Sequence, residues 1–137
     1  MAVPRGILFL CVANSARSQM AEGIARSIAP AGVRVYSAGS APSSLNPHAV
    51  KAMREIGIDI SGHRSKAIEA IPAGDIEAVI TLCAEEVCPV FPGKVLRAHW
   101  PLADPAAEGE TRRLEAFRRT RDELRRRIER LFAAPAG

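Results

Sequence analysis

Residues 7–23 constrain this chain more than any other stretch, because their pattern changes from strand to helix across a loop of only a few residues. Ile7, Leu8, Phe9 and Leu10 form an unbroken apolar run, which suits a strand covered on both faces of a parallel sheet. From Met20 the period lengthens: Met20, Ile24 and Ile28 lie four apart with Ala21 and Ala25 beside them, one face of a helix. Cys11 is thereby placed at the carboxyl end of a strand, and Ser18 in or near the first turn of a helix. A loop closed by a helix amino terminus directs main-chain N–H groups inward, and with the helix dipole they form a cradle for an anion.

The side chains of that loop fit the same purpose. A thiol at its lip feels the same field, which favours the reactive thiolate of Cys11. Arg17 supplies a planar, permanently charged fork that can clasp two oxygens of a tetrahedral oxyanion. Ser18 can donate its hydroxyl proton to the sulfur, and Asn14 is a residue type that tolerates left-handed backbone. Val12, Ala13, Asn14, Ser15, Ala16, Arg17 and Ser18 are the expected oxyanion-binding residues. The string Cys-x5-Arg-Ser contains no Gly-x4-Gly-Lys, so it is not a nucleotide-binding phosphate loop.

Further along, Val33, Val35 and Tyr36 read as a second strand ending at Gly39. Asn46 and Pro47 form a favoured pair at a helix start, with Ala49, Val50, Met53 and Ile56 on the buried face and Gly57 as the stop. A short helix is expected from Ser65 to Ile71, and a buried strand from Ile76 to Leu82. Cys83 stands at the carboxyl end of that strand. In open parallel sheets such ends gather on one side, where ligands bind, so Cys11 and Cys83 can face one another. Ala84 to Val87 favours a short helix. If residues 83–88 are helical, the Cys83 and Cys88 α-carbons lie about 8 Å apart at about 1.5 Å rise per residue. A disulfide needs about 7 Å or less, which argues against a resting bond between them. Val95 to Ala98 reads as a further strand. Asp104, held away from helical backbone by Pro105, reads by itself as a turn residue; hanging over the cradle, it could project its carboxyl group as a general acid. From Glu110 to Phe132 the pattern is one long helix with Leu114, Phe117, Leu124, Ile128 and Leu131 on one face, and Ala133 to Gly137 is a frayed tail. Its arginines are interspersed with Glu115, Asp122, Glu123 and Glu129 without aromatic interleaving, the mark of a solvated face and not of nucleic-acid binding.

Composition excludes several classes. The 137 residues, 47% hydrophobic and 25% charged, suit one domain spanning 1–137 with a buried core. The apolar stretch from Ile7 is broken at once by Asn14 and Arg17, too short and too polar for a secretion signal or a membrane span; a cytoplasmic location is expected. Three cysteines, an odd number, suggest catalytic or redox thiols over a disulfide framework. His48, His63 and His99 have no ligand spacing with the cysteines, so no metal site is expected.

The string from Cys11 to Gly23 resembles the signature of the low-molecular-weight phosphotyrosine phosphatase superfamily, and within it the thioredoxin-coupled arsenate reductases. The likeness continues through Tyr36 to Gly39, Asn46 to Met53, Gly57 to Ser61, Thr81 to Cys83, His99 and Trp100, and Asp104 to Ala106. It implies an α/β fold, three layers around a central four-stranded parallel sheet. It also implies arsenate reduction by three thiols in sequence, with Cys11 as nucleophile, Asp104 as acid, and Cys83 and Cys88 as the redox pair regenerated by thioredoxin. No cofactor is implied; phosphate and sulfate are competing oxyanions. The family spacing between the redox cysteines is usually two residues longer, relatives often have Asp where Ala103 stands, and Ala16 takes a position that is often Cys. Reductases that bind potassium beside the cradle use residues matching Asn14, Glu22 and Ser37, plus an Asp where this chain has Lys66. A lysine there repels the ion, so no potassium dependence is expected. The alternative is a tyrosine phosphatase hydrolysing a phosphocysteine at Cys11, against which stand the cysteine pair and the absence of aromatics after Asp104-Pro105. A third reading, a non-catalytic oxyanion sensor, would bind the anion without multiple turnover.

Overall fold

The structure is a computed structural model that describes residues 3–84 and 87–133. Four strands, β1 (Gly6–Cys11), β2 (Arg34–Gly39), β3 (Ala78–Thr81) and β4 (Leu96–His99), form one parallel sheet in the order β2-β1-β3-β4. All six residues of β1 are buried, as its uninterrupted apolar run requires of a central strand. The chain runs from β1 outward to β2, then returns across β1 to β3. That reversal opens a crevice beside the carboxyl end of β1, where Cys11 stands.

The α-helices α1 (Arg17–Ile28), α2 (Pro47–Arg54) and α3 (Arg113–Phe132) share one face of the sheet. Met20 and Ile24 of α1, Met53 of α2, and Phe117, Leu124 and Ile128 of α3 pack there with Ile7, Phe9, Val35 and Ile80. Strand side chains alternate between faces, so Leu8, Leu10, Ala38 and Val79 point the other way, where Ile71, Ile76 and Phe91 cover them. That second layer is thin, built from 3-10 turns at Ile68–Ala70 and Ala73–Asp75 and from extended chain. No helix among the described residues is long and apolar enough to cross a membrane.

Local signals hold where the backbone decides. Asn46 Oδ1 accepts from the His48 amide at 2.8 Å with Pro47 next to it, and Gly57 adopts a φ of 81° at the stop of α2. The chain departs from expectation where tertiary contacts decide. Ser65 to Ala67 is not helical: Lys66 O accepts from Gly39 N at 2.9 Å and Ala67 bridges Gly39 in parallel, so only Ile68–Ala70 turns. Ile28 is 41% exposed instead of buried, while the next residue, Ala29, packs against the core. The helix expected from Glu110 begins at Arg113. Arg121 departs from the solvated face: it is buried, with Nη1 donating to Ala52 O and Glu55 Oε1, each at 2.9 Å. The helix expected over Ala84 to Val87 includes Glu85 and Glu86, which lie outside the described residues, as does the tail from Ala134.

Candidate active site

The loop between β1 and α1 is held from outside. The carbonyls of Val12, Ala13 and Ser15 accept from the amides of Ala41, Ser43 and Asn46 at 2.9, 3.1 and 2.9 Å, and Ser65 Oγ also donates to Ala13 O at 2.7 Å. Within a trans peptide the next N–H points opposite to the carbonyl. An outer ring that engages these oxygens therefore turns the amides of Ala13, Asn14 and Ala16 the other way, toward the inside of the loop. Gly39 lets this second strand end approach: a Cβ there would clash with the Val12 carbonyl. No side chain caps α1, which leaves its first turn to the anion cradle.

Inside the loop the side chains set one another's roles. Asn14 has a φ of 49°, the left-handed conformation its residue type tolerates. Its Nδ2 donates to Ser18 Oγ at 2.7 Å, and Ser18 Oγ lies 2.8 Å from Cys11 Sγ. With its oxygen already accepting from Asn14, Ser18 keeps its own proton free to donate to the sulfur. Asn14 Oδ1 accepts from Gln19 Nε2 at 2.9 Å and from Lys66 N at 2.8 Å. Cys11 is buried, with 2% of its surface exposed.

Arg17 is buried and its Nη1 donates to Leu102 O at 2.8 Å. Leu102 N in turn donates to Leu82 O at 3.1 Å. The loop that leads to Asp104 is thus fastened to Arg17 and to the end of β3 at one residue. Asp104 follows two positions later, exposed, with Oδ1 accepting from Ala106 N at 3.0 Å.

Cys83 corrects the expectation of an open pair. It is bonded to Cys88, with α-carbons 5.5 Å apart, while Cys11 is a free thiol. A separation of about 8 Å holds only for helical rise between the two. Neither Cys83 nor Cys88 is helical, and the shorter separation follows. Cys83 and Cys11 end up on neighbouring strand ends, since Leu10 pairs with Thr81 and Leu82 N donates to Leu10 O at 2.9 Å.

Behind the cradle lies a charged cluster. Glu22, 3% exposed, accepts from Ser37 Oγ at 2.5 Å and has Arg26 at 3.2 Å, Lys66 Nζ at 3.5 Å and His63 Nδ1 at 3.8 Å. His63 Nδ1 also sits 3.1 Å from Gln19 Oε1, an oxygen that only accepts, so Nδ1 carries a proton. Burial holds the His63 imidazole below its ordinary value, against the opposing pull of Glu22. Asn14, Glu22 and Ser37 do gather here, but with an ammonium already beside Glu22 the donor set does not fit a potassium ion.

Of the residues expected in one group, Cys11, Ser18 and Asn14 are joined by hydrogen bonds, while Arg17, in the first turn of α1, is tied to Leu102 O. Sequence reasoning missed the supporting shell of Gln19, His63 and Ser65. Gln19 adjoins the motif and Ser65 stands in a polar run, which are the signals available. The Leu102 carbonyl, a main-chain group, has none.

A family model described as low molecular weight phosphotyrosine protein phosphatase matches residues 6–135. An arsenate reductase of Bacillus licheniformis is 50% identical over 128 residues, covering 90% of this chain and 92% of the relative. A solved arsenate reductase in a phosphate-binding state superposes with a TM-score of 0.81 at 37% identity, covering 93% of this chain and 96% of that one. A thioredoxin-dependent arsenate reductase from Corynebacterium glutamicum gives a TM-score of 0.65 at 29% identity over 92% of this chain and 61% of that one. With its cradle, its sheet order and these relatives in agreement over nearly its full length, the chain belongs to the low molecular weight phosphotyrosine protein phosphatase family.

Proposed function

We propose that this chain is an arsenate reductase, converting arsenate to arsenite through Cys11, Cys83 and Cys88. Arsenate sits among the amides of Val12 to Ser18 with Arg17 on two of its oxygens. The Cys11 thiolate attacks arsenic while Asp104 protonates the departing hydroxyl, giving a Cys11–arsenic(V) adduct. The Cys83 thiolate then attacks the Cys11 sulfur. As the S–S bond forms, the S–As electron pair passes to arsenic, which leaves as arsenite. Cys88 attacks Cys83 and expels the Cys11 thiolate, and an external dithiol, of which thioredoxin is the proposed one, reduces the Cys83–Cys88 disulfide.

One observation carries the reading: a disulfide joins Cys83 and Cys88 at the end of β3 while Cys11, on the adjoining strand, stays a thiol. That pairing is the product expected after one internal transfer, and hydrolysis of a phosphoester needs neither cysteine. The cradle is shared with phosphatase chemistry, so slow cleavage of small aryl phosphates accompanies the main activity. The chain acts as one domain over 1–137 in the reducing cytoplasm. The test is NADPH oxidation with thioredoxin and thioredoxin reductase, with and without arsenate, on wild type and on Cys11→Ser, Cys83→Ser and Cys88→Ser. All three variants lose multiple turnover; a Cys83→Ser enzyme as active as wild type would end the reductase reading.

A further inference from the structure

Thr81 and His99 are register partners at the carboxyl ends of β3 and β4, so their side chains leave the same face of the sheet. Thr81 Oγ1 and His99 Nδ1 are 2.7 Å apart, and Thr81 Oγ1 also donates to Ala98 O at 3.4 Å. The pair can be wired with either group donating; the wiring that proton uptake at Nε2 requires turns the hydroxyl proton to Ala98 and has Nδ1–H donate to the threonine oxygen. Nε2 is then the basic nitrogen of the ring, on the side away from Thr81.

That ring shares a cavity with one sulfur of the disulfide. His99, Thr81, Cys88 and Val90 line one cavity of about 320 Å³. Cys83 is buried at 1% exposure, whereas Cys88 is partly exposed, so an incoming thiol reaches the Cys88 sulfur. Among the described residues lining this cavity the other charged group is Arg97, and its Nη2 is engaged by Phe91 O at 2.7 Å and Gly93 O at 3.0 Å. His99 is left as the group that can take up a proton there.

We infer that His99, held in one tautomer by Thr81, carries a proton from the incoming dithiol to the leaving Cys88 sulfur during reduction of the Cys83–Cys88 disulfide. The dithiol loses one S–H proton to Nε2 as its sulfur attacks Cys88, and Cys83 leaves as thiolate. The second thiol of the reductant then attacks the first, closing the reductant's disulfide and expelling Cys88, which takes the proton back from the imidazolium. Two electrons pass from dithiol to disulfide; the second S–H proton reaches Cys83 through solvent. The inference rests on the reductase reading for its biological use but concerns a step that needs no arsenate.

The experiment follows reduction of the oxidised full-length protein by dithiothreitol, with thiol release timed between pH 6.5 and 9. At pH 7 a free thiol is only a few per cent ionised, so a base matters; near pH 9 it does not. His99→Gln slows reduction about tenfold at pH 7 and comes within about twofold of wild type at pH 9. Thr81→Val, which keeps the imidazole, slows it about threefold with the same convergence. Equal rates for wild type and His99→Gln at pH 7, or one constant ratio at every pH, would overturn the proposal; Thr81→Val matching wild type would overturn the tautomer's part in it. Normal dithiothreitol kinetics with no arsenate turnover would count instead against the reductase reading.

Discussion

Asn14 is the residue on which the cradle turns, and its removal separates two costs that the structure keeps apart. In Asn14→Ala the Lys66 N–H loses its acceptor at 2.8 Å, whereas Gln19 Nε2 keeps Asn14 O at 3.1 Å and Arg64 O at 2.8 Å. One orphaned main-chain donor costs about 1–3 kcal/mol. An alanine at a φ of 49° adds about 1 kcal/mol that glycine does not incur. The sum is a loss of about 2–4 kcal/mol, a fall in Tm of about 10 °C for a chain of this size. Asn14→Gly, with the same lost side chain but a permissive backbone, recovers about 1 kcal/mol of it. Urea titrations of the two variants and wild type measure the difference directly. The same substitutions unhook Ser18 from its donor, so its proton is no longer kept for Cys11. In the oxidised protein Cys11 is the one cysteine left as a thiol, and its alkylation by iodoacetamide at pH 7 slows by a few-fold, less than the about tenfold that losing the whole Ser18–Cys11 bond would give. An Asn14→Ala protein that melts within 2 °C of wild type, or a glycine variant no more stable than the alanine one, refutes the account of the loop.

Gly39→Ala drives a methyl group against the Val12 carbonyl, and the expected result is loss of sulfate or phosphate protection of Cys11 against alkylation before any loss of secondary structure by circular dichroism. The proton linkage of His63 is testable by pH. Burial lowers its folded value, so the unfolded chain binds a proton that the folded chain refuses. Stability therefore rises with pH between that lowered value and about 6.5 and falls on acidification below it. Urea midpoints for wild type and His63→Gln between pH 7.5 and 5 check this, with a flatter profile expected for the variant. With Lys66 Nζ 3.5 Å from Glu22 Oε1, exchanging sodium for potassium leaves arsenate affinity unchanged; a several-fold gain on adding potassium contradicts it.

What the sequence could disclose was set by how local each determinant is. The strand, loop and helix around Cys11 were legible because apolar period, motif spacing and residue type all bear on the same seventeen positions from Ile7 to Gly23. The cap at Asn46 and the stop at Gly57 were legible for the same reason. Ser65 to Ala67 was not: its composition permits a helix, but its hydrogen-bonding groups are spent on Ala13, Asn14 and Gly39, partners 52 or fewer residues away that no window on the sequence joins. Arg121 was hidden among its neighbours because burial of one arginine in a row depends on where α2 lies. The disulfide was misjudged through a single assumption, helical rise between residues 83 and 88.

The geometry around that disulfide also limits which parts of the chain must move during the thiol relay. Cys11 and Cys83 stand at the ends of adjacent central strands, each buried. Three residues beyond Cys88, Phe91 is buried at 2% exposure in the second-face cluster, and its carbonyl is gripped by Arg97. Interiors packed at crystal-like density do not deform continuously, so these three positions act as fixed points. Exchange of Cys83 between Cys11 and Cys88 must then be accommodated between Cys83 and Phe91, with Val87 at 91% and Val90 at 77% exposure already facing solvent. Beyond Cys88 the chain is tied to the sheet at Phe91.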